Sequence, residues 1–170
     1  TGTLLKIKGG FLLTPQIYSI KRGKSGTPGE IVGSIEYKEE NIIGSIEKNT
    51  EKGIYGTVTD TGNKAYEIGY RQDIKKGKAY ILSNLTGSMR QYEIKINKIV
   101  SSDTDVLKSM EIEVTDKRLL HLTNGIIQGM SGSPIIQDGK LIGAVTHVFV
   151  NDPAKGYAIL METMLYEMEK

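Results

Sequence analysis

The feature that most constrains the fold is a succession of short segments rich in Ile, Val, Tyr and Thr, each bounded by Gly, Asn or Asp. These segments are Leu4–Ile7, Phe11–Ile20, Glu30–Tyr37, Ile42–Ile46, Ile54–Thr59, Lys64–Tyr70, Ala79–Leu82, Gln91–Val100 and Met110–Thr115. β-Branched and aromatic residues favour strands, and many short strands at this spacing favour a barrel or a sandwich. We therefore predict an all-β protein.

Two segments near the C-terminus add a hairpin and a helix to this pattern. Ile135–Ile136 and Leu141–Val150 flank the turn Gln137–Lys140, whose Asp-Gly pair is typical of a β-hairpin. The tail Ile159–Lys170 lacks Gly and Pro and carries apolar residues at helical spacing, so it predicts an amphipathic helix. This helix would follow the last strand of the barrel.

The composition excludes several classes of function. The 170 residues fit one domain, or two small lobes that share a cleft, with a boundary near residues 75–78. The 22 basic and 20 acidic residues leave a net charge of +2, which gives no reason to expect a nucleic acid or an anionic membrane as partner. The lack of cysteine excludes a disulfide framework, a thiol nucleophile and a cysteine-ligated metal. Two scattered histidines make a poor ligand set, and the sequence indicates no metal or cofactor.

The beginning of the chain predicts that it is a piece of a longer protein. It starts with Thr1 rather than methionine, and its first residues lack the pattern of a signal peptide. No stretch approaches the roughly 18 to 20 apolar residues of a membrane-spanning helix. We expect any export or anchoring signal to lie in a part that this sequence does not include.

The strongest functional motif is G-I-I-Q-G-M-S-G-S-P, which runs from Gly125 to Pro134 just before the hairpin. A serine near two glycines, with a proline closing the loop, predicts a tight turn whose backbone N–H groups converge where negative charge can form. Ser131 is therefore the candidate nucleophile. The alternative is a glycine-rich connection between strands that happens to contain a serine.

This motif resembles G-D-S-G-G-P, the segment that carries the nucleophile in chymotrypsin-like serine proteases. The resemblance implies a double β-barrel with a C-terminal helix, in which the N–H groups of Gly129 and Ser131 form the oxyanion hole. Met130 stands where trypsin-like enzymes have an acid that secures the active loop after zymogen cleavage. We therefore expect activation of this protein not to use that ion pair.

A longer similarity identifies a more specific family. The run from Gly125 to Ile159 and the segments Lys21–Glu30, Ile43–Gly56 and Glu113–Asp116 resemble the peptidase domain of the SpoIVB family. These are the stage IV sporulation serine peptidases of spore-forming bacteria. The matches extend across nearly the whole chain. The resemblance implies a serine endopeptidase whose full-length form has a membrane anchor and a PDZ domain and is exported to the space between mother cell and forespore.

A serine nucleophile needs a base, and a third group that orients the base. In the SpoIVB family, the catalytic histidine lies in a G-H motif shortly before a D-T-G segment, and Thr1-Gly2 resembles the end of that segment. The resemblance thus places the base upstream of this sequence, and this chain alone would then be inactive. The family's aspartate lies fifteen residues before its serine, and Asp116 matches it. The residues alone favour another role for Asp116, the N-cap of a turn at Lys117–Leu120.

The two histidines of the chain are alternative candidates for the base. His121 stands among leucines ten residues before the serine, a setting more typical of a structural residue. His147 follows the predicted hairpin. In a chymotrypsin-like barrel this strand, through Val145, Thr146 and His147, pairs with the substrate backbone beside the specificity pocket. Only the fold could bring His147 to the serine, so substrate contact is its favoured role.

The chain also contains a G-K-S sequence, which can mark a phosphate-binding loop. Gly23–Gly26 reads G-K-S-G, but the phosphate loop needs a glycine five positions before its G-K-S glycine, and Tyr18 stands there. We predict a surface loop stiffened by Pro28, with no nucleotide site and no chemistry of its own.

These observations lead to one favoured function and two alternatives. The favoured function is a serine endopeptidase of sporulation that cleaves membrane-associated regulatory proteins in late sigma-factor signalling, with itself as a further candidate substrate. The first alternative is a non-catalytic β-barrel that binds a peptide strand in the same cleft, which the lack of a histidine ahead of Asp116 favours. The second is an inactive truncated or autoprocessed fragment of a true protease.

Overall fold

The computed structural model describes residues 9–59, 64–100 and 105–170, and it is mainly β. Its strands are β1 (Gly10–Leu13), β2 (Gln16–Lys21), β3 (Glu30–Ser34), β4 (Ile42–Thr50), β5 (Gly53–Val58), β6 (Glu67–Ile68), β7 (Gly77–Ser83), β8 (Arg90–Ile99), β9 (Met110–Val114), β10 (Pro134–Gln137), β11 (Lys140–Val148) and β12 (Lys155–Leu160). Its α-helices are α1 (Lys117–Thr123) and α2 (Met161–Met168). The predicted strand Leu4–Ile7 lies outside the described residues.

The C-terminal half forms a closed barrel of six antiparallel strands. The order is β10-β7-β8-β9-β12-β11, and β11 pairs again with β10 to close the ring. Buried residues alternate with more exposed ones along β7, β8 and β9, as the polar and apolar alternation of β8 requires. Fully buried side chains fill the barrel, among them Ile81, Ile94, Ile96, Met110, Ile112, Ile135 and Ile142. Each contributes about 1.5–3 kcal/mol of burial free energy, so this barrel is the stable platform of the molecule.

The N-terminal half contributes two smaller antiparallel sheets among the described residues. One has the order β1-β4-β5, and the other pairs β2 with β3. The sequence predicts a single strand over Phe11–Ile20, and this prediction is wrong, because β1 ends before Pro15 and β2 begins after it. Proline has no N–H to donate to a ladder, so the chain changes sheets at this residue.

Two other segments differ from the sequence prediction. The predicted strand Lys64–Tyr70 shrinks to β6, which pairs in parallel with β11 over two residues before a 3₁₀ turn begins. The predicted helix Ile159–Lys170 begins two residues later, because Ile159 and Leu160 belong to β12 and pair with β11. The strand β12 is not predicted by the sequence pattern.

The division of the chain into lobes stays a prediction. The proposed boundary near residues 75–78 coincides with the start of β7, the first strand of the barrel. Buried Gln137 of β10 bonds to this connection, donating from Nε2 to the carbonyls of Lys75 and Lys78 and accepting from the Lys75 N–H. Within the described ranges, neither α-helix has the length and apolarity that crossing a bilayer demands.

Candidate active site

Ser131 lies at the tip of a tight turn between α1 and β10. Gly129 and Gly132 on either side have φ angles of 98° and 86°, a region that favours glycine. Met130 between them is 1% exposed and packs into the barrel core, whereas Ser131 is exposed. The buried methionine thus anchors the turn, and the turn presents the serine to solvent as the sequence predicts.

The turn is fixed to β11 by three hydrogen bonds. The Gly132 N–H donates to the Val145 carbonyl over 2.8 Å, and the Val145 N–H donates to the Ser133 carbonyl over 3.0 Å. The Ser131 Oγ donates to the Thr146 carbonyl over 3.0 Å. The structure therefore brings Ser131 against the strand segment that the sequence analysis predicts to bind substrate.

Two backbone donors of this turn are available. Among the described residues, the N–H groups of Gly129 and Ser131 have no hydrogen-bond partner, whereas the Met130 N–H between them donates to the Ile127 carbonyl over 3.1 Å. Both residues with available donors are exposed. These are the groups that the sequence analysis assigns to the oxyanion hole, and they can donate to a negatively charged oxygen near Ser131.

Ser131 borders a cavity of about 520 Å³. One wall is β11 from Ala144 to His147, and a second wall is the hairpin turn 50–53 between β4 and β5. Gly132, Leu107, Ile159 and Met164 complete the lining. The volume falls within the range of about 300–1,000 Å³ that is common for ligand pockets. The cavity can therefore hold one or two side chains of a peptide beside the serine.

The C-terminal helix holds the hairpin wall in place. The Glu167 side chain of α2 forms an ion pair with Lys52 at 2.9 Å. Its backbone carbonyl accepts a hydrogen bond from Lys48 Nζ over 2.7 Å. The Glu167 side chain is only 14% exposed, so these contacts are less screened than typical surface pairs. Helix α2 therefore ties β4 and the hairpin turn to the C-terminal end of the chain.

His147 lines the same cavity as Ser131. Its Nδ1 is buried and has no hydrogen-bond partner among the described residues. Burial lowers the pKa of the imidazole, and the nearby Lys108 ammonium lowers it further. The ring is therefore neutral at pH 7 and can donate or accept one hydrogen bond at a substrate.

Asp116 is the N-cap of α1, as the residues alone suggest. Its carboxylate accepts from the backbone N–H groups of Arg118 at 2.8 Å and Glu93 at 3.2 Å, and from the Arg118 guanidinium at 2.6 Å. It is not among the residues that line the Ser131 cavity. The Arg118 guanidinium holds the pKa of this carboxyl far below its usual range, with the backbone donors adding to the effect.

The family model for the SpoIVB peptidase, S55, matches residues 1–165 of the chain. The chain belongs to the SpoIVB peptidase family. This membership makes the chain a peptidase and confirms the family resemblance that runs from Lys21 to Ile159. The search of curated proteins found no sequence that matches this chain.

Solved structures show what the fold resembles. The Rv3671c protease from M. tuberculosis in its active form superposes with a TM-score of 0.54 at 13% identity, covering 92% of this chain and 71% of that one. The inactive form of the Rv3671c protease gives a TM-score of 0.54 at 15% identity, covering 95% of this chain and 86% of that one. The predicted all-β, chymotrypsin-like fold with its C-terminal helix is thereby confirmed for this chain.

The remaining candidate residue lies elsewhere in the structure. His121 is exposed on α1, in a groove that it shares with Arg90, Tyr92, Lys117 and Arg118. That groove shares no lining residue with the Ser131 cavity. The hairpin wall 50–53 is a part of the site that the sequence does not predict, because its residues carry no catalytic motif and only the fold brings them to a serine about eighty residues later.

Asp116→Asn is expected to lower the free energy of unfolding at pH 7 by about 1–2 kcal/mol, because asparagine caps the helix but carries no charge. Arg118 is 62% exposed, so its ion pair supplies only part of this. Because the folded pKa of Asp116 is depressed, its contribution is complete above about pH 4, the unfolded pKa, and is lost as pH falls further. Chemical denaturation of both proteins between pH 3 and pH 7 measures the difference, which should shrink toward acid pH. A difference in stability that does not change with pH would contradict a depressed pKa of Asp116 in the folded protein.

Proposed function

We propose that this chain is the peptidase domain of a serine endopeptidase, with Ser131 as its nucleophile. The observation that carries the proposal is an exposed serine on a glycine turn, with two available N–H groups beside it and a substrate-sized cavity in front of it. Serine peptidases need these three features together, because the tetrahedral intermediate must be held while a peptide lies across the nucleophile.

The proposed reaction is acyl transfer in two steps. Ser131 Oγ attacks the carbonyl carbon of the scissile peptide bond, and its proton passes to an imidazole. The negative charge on the carbonyl oxygen is stabilised by the N–H groups of Gly129 and Ser131. The C–N bond breaks as the imidazole returns the proton to the leaving amine. Water then attacks the acyl-enzyme by the same route and restores the serine.

We propose that the imidazole belongs to a histidine upstream of Thr1 in the full-length protein, in line with the family resemblance. Ser131 Oγ bonds to the Thr146 carbonyl in this structure, and the attacking geometry requires that this bond be exchanged for one to the imidazole. The role of Asp116 as the orienting acid also stays a proposal. Asp116→Asn provides its test, because loss of an orienting acid lowers kcat by more than the loss of folded protein explains.

We propose that the substrate backbone lies along β11. The pairing of β10 with β11 ends at Ala144. Backbone bonds between the Ser131 turn and β11 extend this pairing only as far as Val145. The next two residues of β11, Thr146 and His147, border the cavity. A peptide added at this edge gains main-chain hydrogen bonds, while its side chains are selected by the cavity. Val145, Thr146 and His147 are the proposed substrate-binding residues.

The biological setting is proposed from the family. We propose that the substrates are regulatory proteins of sporulation, with the protein itself as a further substrate. The site of action would be outside the cytoplasm, between mother cell and forespore. The structure bears on this only through the cavity, which suits an extended segment of another protein.

Reaction of the full-length protein with a fluorophosphonate probe tests the proposed function. The probe should form one adduct, which peptide mass spectrometry places on Ser131, because only an activated serine attacks phosphorus at an appreciable rate. Ser133→Ala is the matched control and should keep the adduct. An adduct on Ser133 or on any other serine would contradict the assignment. A peptide that binds in the cavity and is released intact would support the binding-module alternative.

A further inference from the structure

The loop between β2 and β3 lies across three segments of the C-terminal half. This loop contains the G-K-S-G sequence, for which the sequence analysis predicts no chemistry. We call this loop, together with the first two residues of β3, the clasp (residues 22–31). Its contacts are with the end of α1, with the connection between β11 and β12, and with the turn that leads to Ser131.

The first contact of the clasp is with the end of α1. The Gly23 N–H donates to the Thr123 carbonyl over 2.9 Å. In return, Asn124 Nδ2 donates to the Gly23 carbonyl over 2.9 Å, and Arg22 Nη2 donates to the Leu120 carbonyl over 3.2 Å. Asn124 is the left-handed residue that ends the helix, so the clasp holds the point where the chain turns toward the active-site loop.

The second contact is with the connection that follows β11. The Gly26 N–H donates to the Val150 carbonyl over 2.9 Å, and Ser25 Oγ donates to the Asn151 carbonyl over 3.0 Å. The same connection holds the start of the active-site loop, because the Pro153 carbonyl accepts from the Ile126 N–H over 2.7 Å. The clasp and the active-site loop therefore both bond to the connection between β11 and β12.

The third contact reaches the loop that forms the proposed oxyanion hole. The Gln128 N–H donates to the Gly29 carbonyl over 2.8 Å, and the Ile31 N–H donates to the Gln128 carbonyl over 3.0 Å. The Ile31 side chain packs so closely on Gly129 that a Cβ there would lie 2.8 Å from Ile31 Cδ1. The Gln128 carbonyl belongs to the same peptide group as the Gly129 N–H, so the bond from Ile31 holds that group directly, and the bond to Gly29 holds the peptide group before it.

We propose that the clasp positions the oxyanion hole, so that the reactivity of Ser131 depends on contacts made by Gly29 and Ile31. This inference rests on the proposed function. Glycine at position 129 allows the loop many backbone conformations, and something outside the loop must select the one in which its N–H points toward the serine. Buried Met130 secures the loop from the core side, and the clasp secures it from the N-terminal side.

Gly29→Ala tests the clasp directly. An alanine Cβ at this position would clash with the Lys21 carbonyl oxygen and the Gly23 nitrogen and would lie 2.7 Å from Ile127 Cγ2, so the backbone of the clasp must shift at Gly29. We expect the rate of Ser131 phosphonylation in the full-length protein to fall about tenfold or more, because one oxyanion donor is displaced. Gly10→Ala is the matched control, because its Cβ would meet only Ile46 Cδ1 at an ordinary 3.7 Å.

A second pair of variants separates positioning from folding. Ile31→Ala removes the packing on Gly129 and should lower kcat about tenfold with KM changed less than twofold, whereas Ile31→Val should restore most of kcat. The inference is overturned if folded Gly29→Ala and Ile31→Ala proteins are phosphonylated on Ser131 at the wild-type rate. It is equally overturned if Gly29→Ala cannot fold and Ile31→Ala keeps the wild-type kcat. Failure of the wild-type protein to react at Ser131 would instead refute the proposed function.

Discussion

Ser131→Ala is expected to lower kcat for peptide hydrolysis by about 10³-fold or more, with KM and thermal stability almost unchanged. The mutation removes the atom that forms the acyl-enzyme. It removes little else, because the side chain is exposed and its hydroxyl makes one hydrogen bond, to the Thr146 carbonyl. Losing one such bond at the surface costs about 0.5–1.5 kcal/mol at most. Steady-state kinetics of the full-length protein, together with a thermal melt, measure both quantities.

Ser133→Ala is the matched control for this prediction. Ser133 lies two residues away, and the bonds of the turn involve only its backbone, through the Met130 and Val145 peptide groups. Its replacement should leave kcat within about twofold. A comparable loss of kcat in both variants would indicate that the turn, and not the Ser131 hydroxyl, is what the mutations disturb.

Gly129→Ala is expected to lower kcat by about 10²- to 10³-fold, the usual effect of losing one oxyanion donor. Gly129 has a φ of 98°, which an L-residue adopts at a cost, and its Cβ would lie 2.8 Å from Ile31 Cδ1. The backbone must rotate to relieve both problems, and the N–H turns with it. The loss should appear in kcat rather than in KM, because the donor acts on the transition state.

Gly139→Ala controls for backbone strain alone. Gly139 has a φ of 81° in the turn between β10 and β11, and a Cβ there meets nothing within 4 Å. It should cost a similar amount of stability, about 1–3 kcal/mol, but leave the kcat of the folded protein unchanged. If Gly129→Ala keeps wild-type kcat, the N–H of residue 129 is not an oxyanion donor.

The parts of the site that the sequence predicts are those encoded by neighbouring residues. The serine turn, its two glycines and the hairpin after it lie within about twenty residues. Their turn chemistry is explicit, with Asp138 and Gly139 both at positive φ as the Asp-Gly pair predicts. The barrel follows from the alternating strands, because each can bury only one face.

The parts that the sequence does not predict depend on contacts between distant segments. The hairpin wall 50–53 borders the cavity, and its Lys52 forms an ion pair with Glu167 from the other end of the chain. The G-K-S-G loop carries no local sign that it supports the loop before Ser131. The role of Asp116 is ambiguous for the same reason, because the Glu93 N–H that donates to its carboxylate lies on β8, 23 residues earlier in the chain.

The crystal structure of the phosphonylated full-length protein tests the central claim most directly. We predict a covalent bond from Ser131 Oγ to phosphorus, with the phosphoryl oxygen about 2.7–3.1 Å from the N–H nitrogens of both Gly129 and Ser131. A phosphoryl oxygen directed away from both nitrogens, or an adduct on another residue, would contradict it.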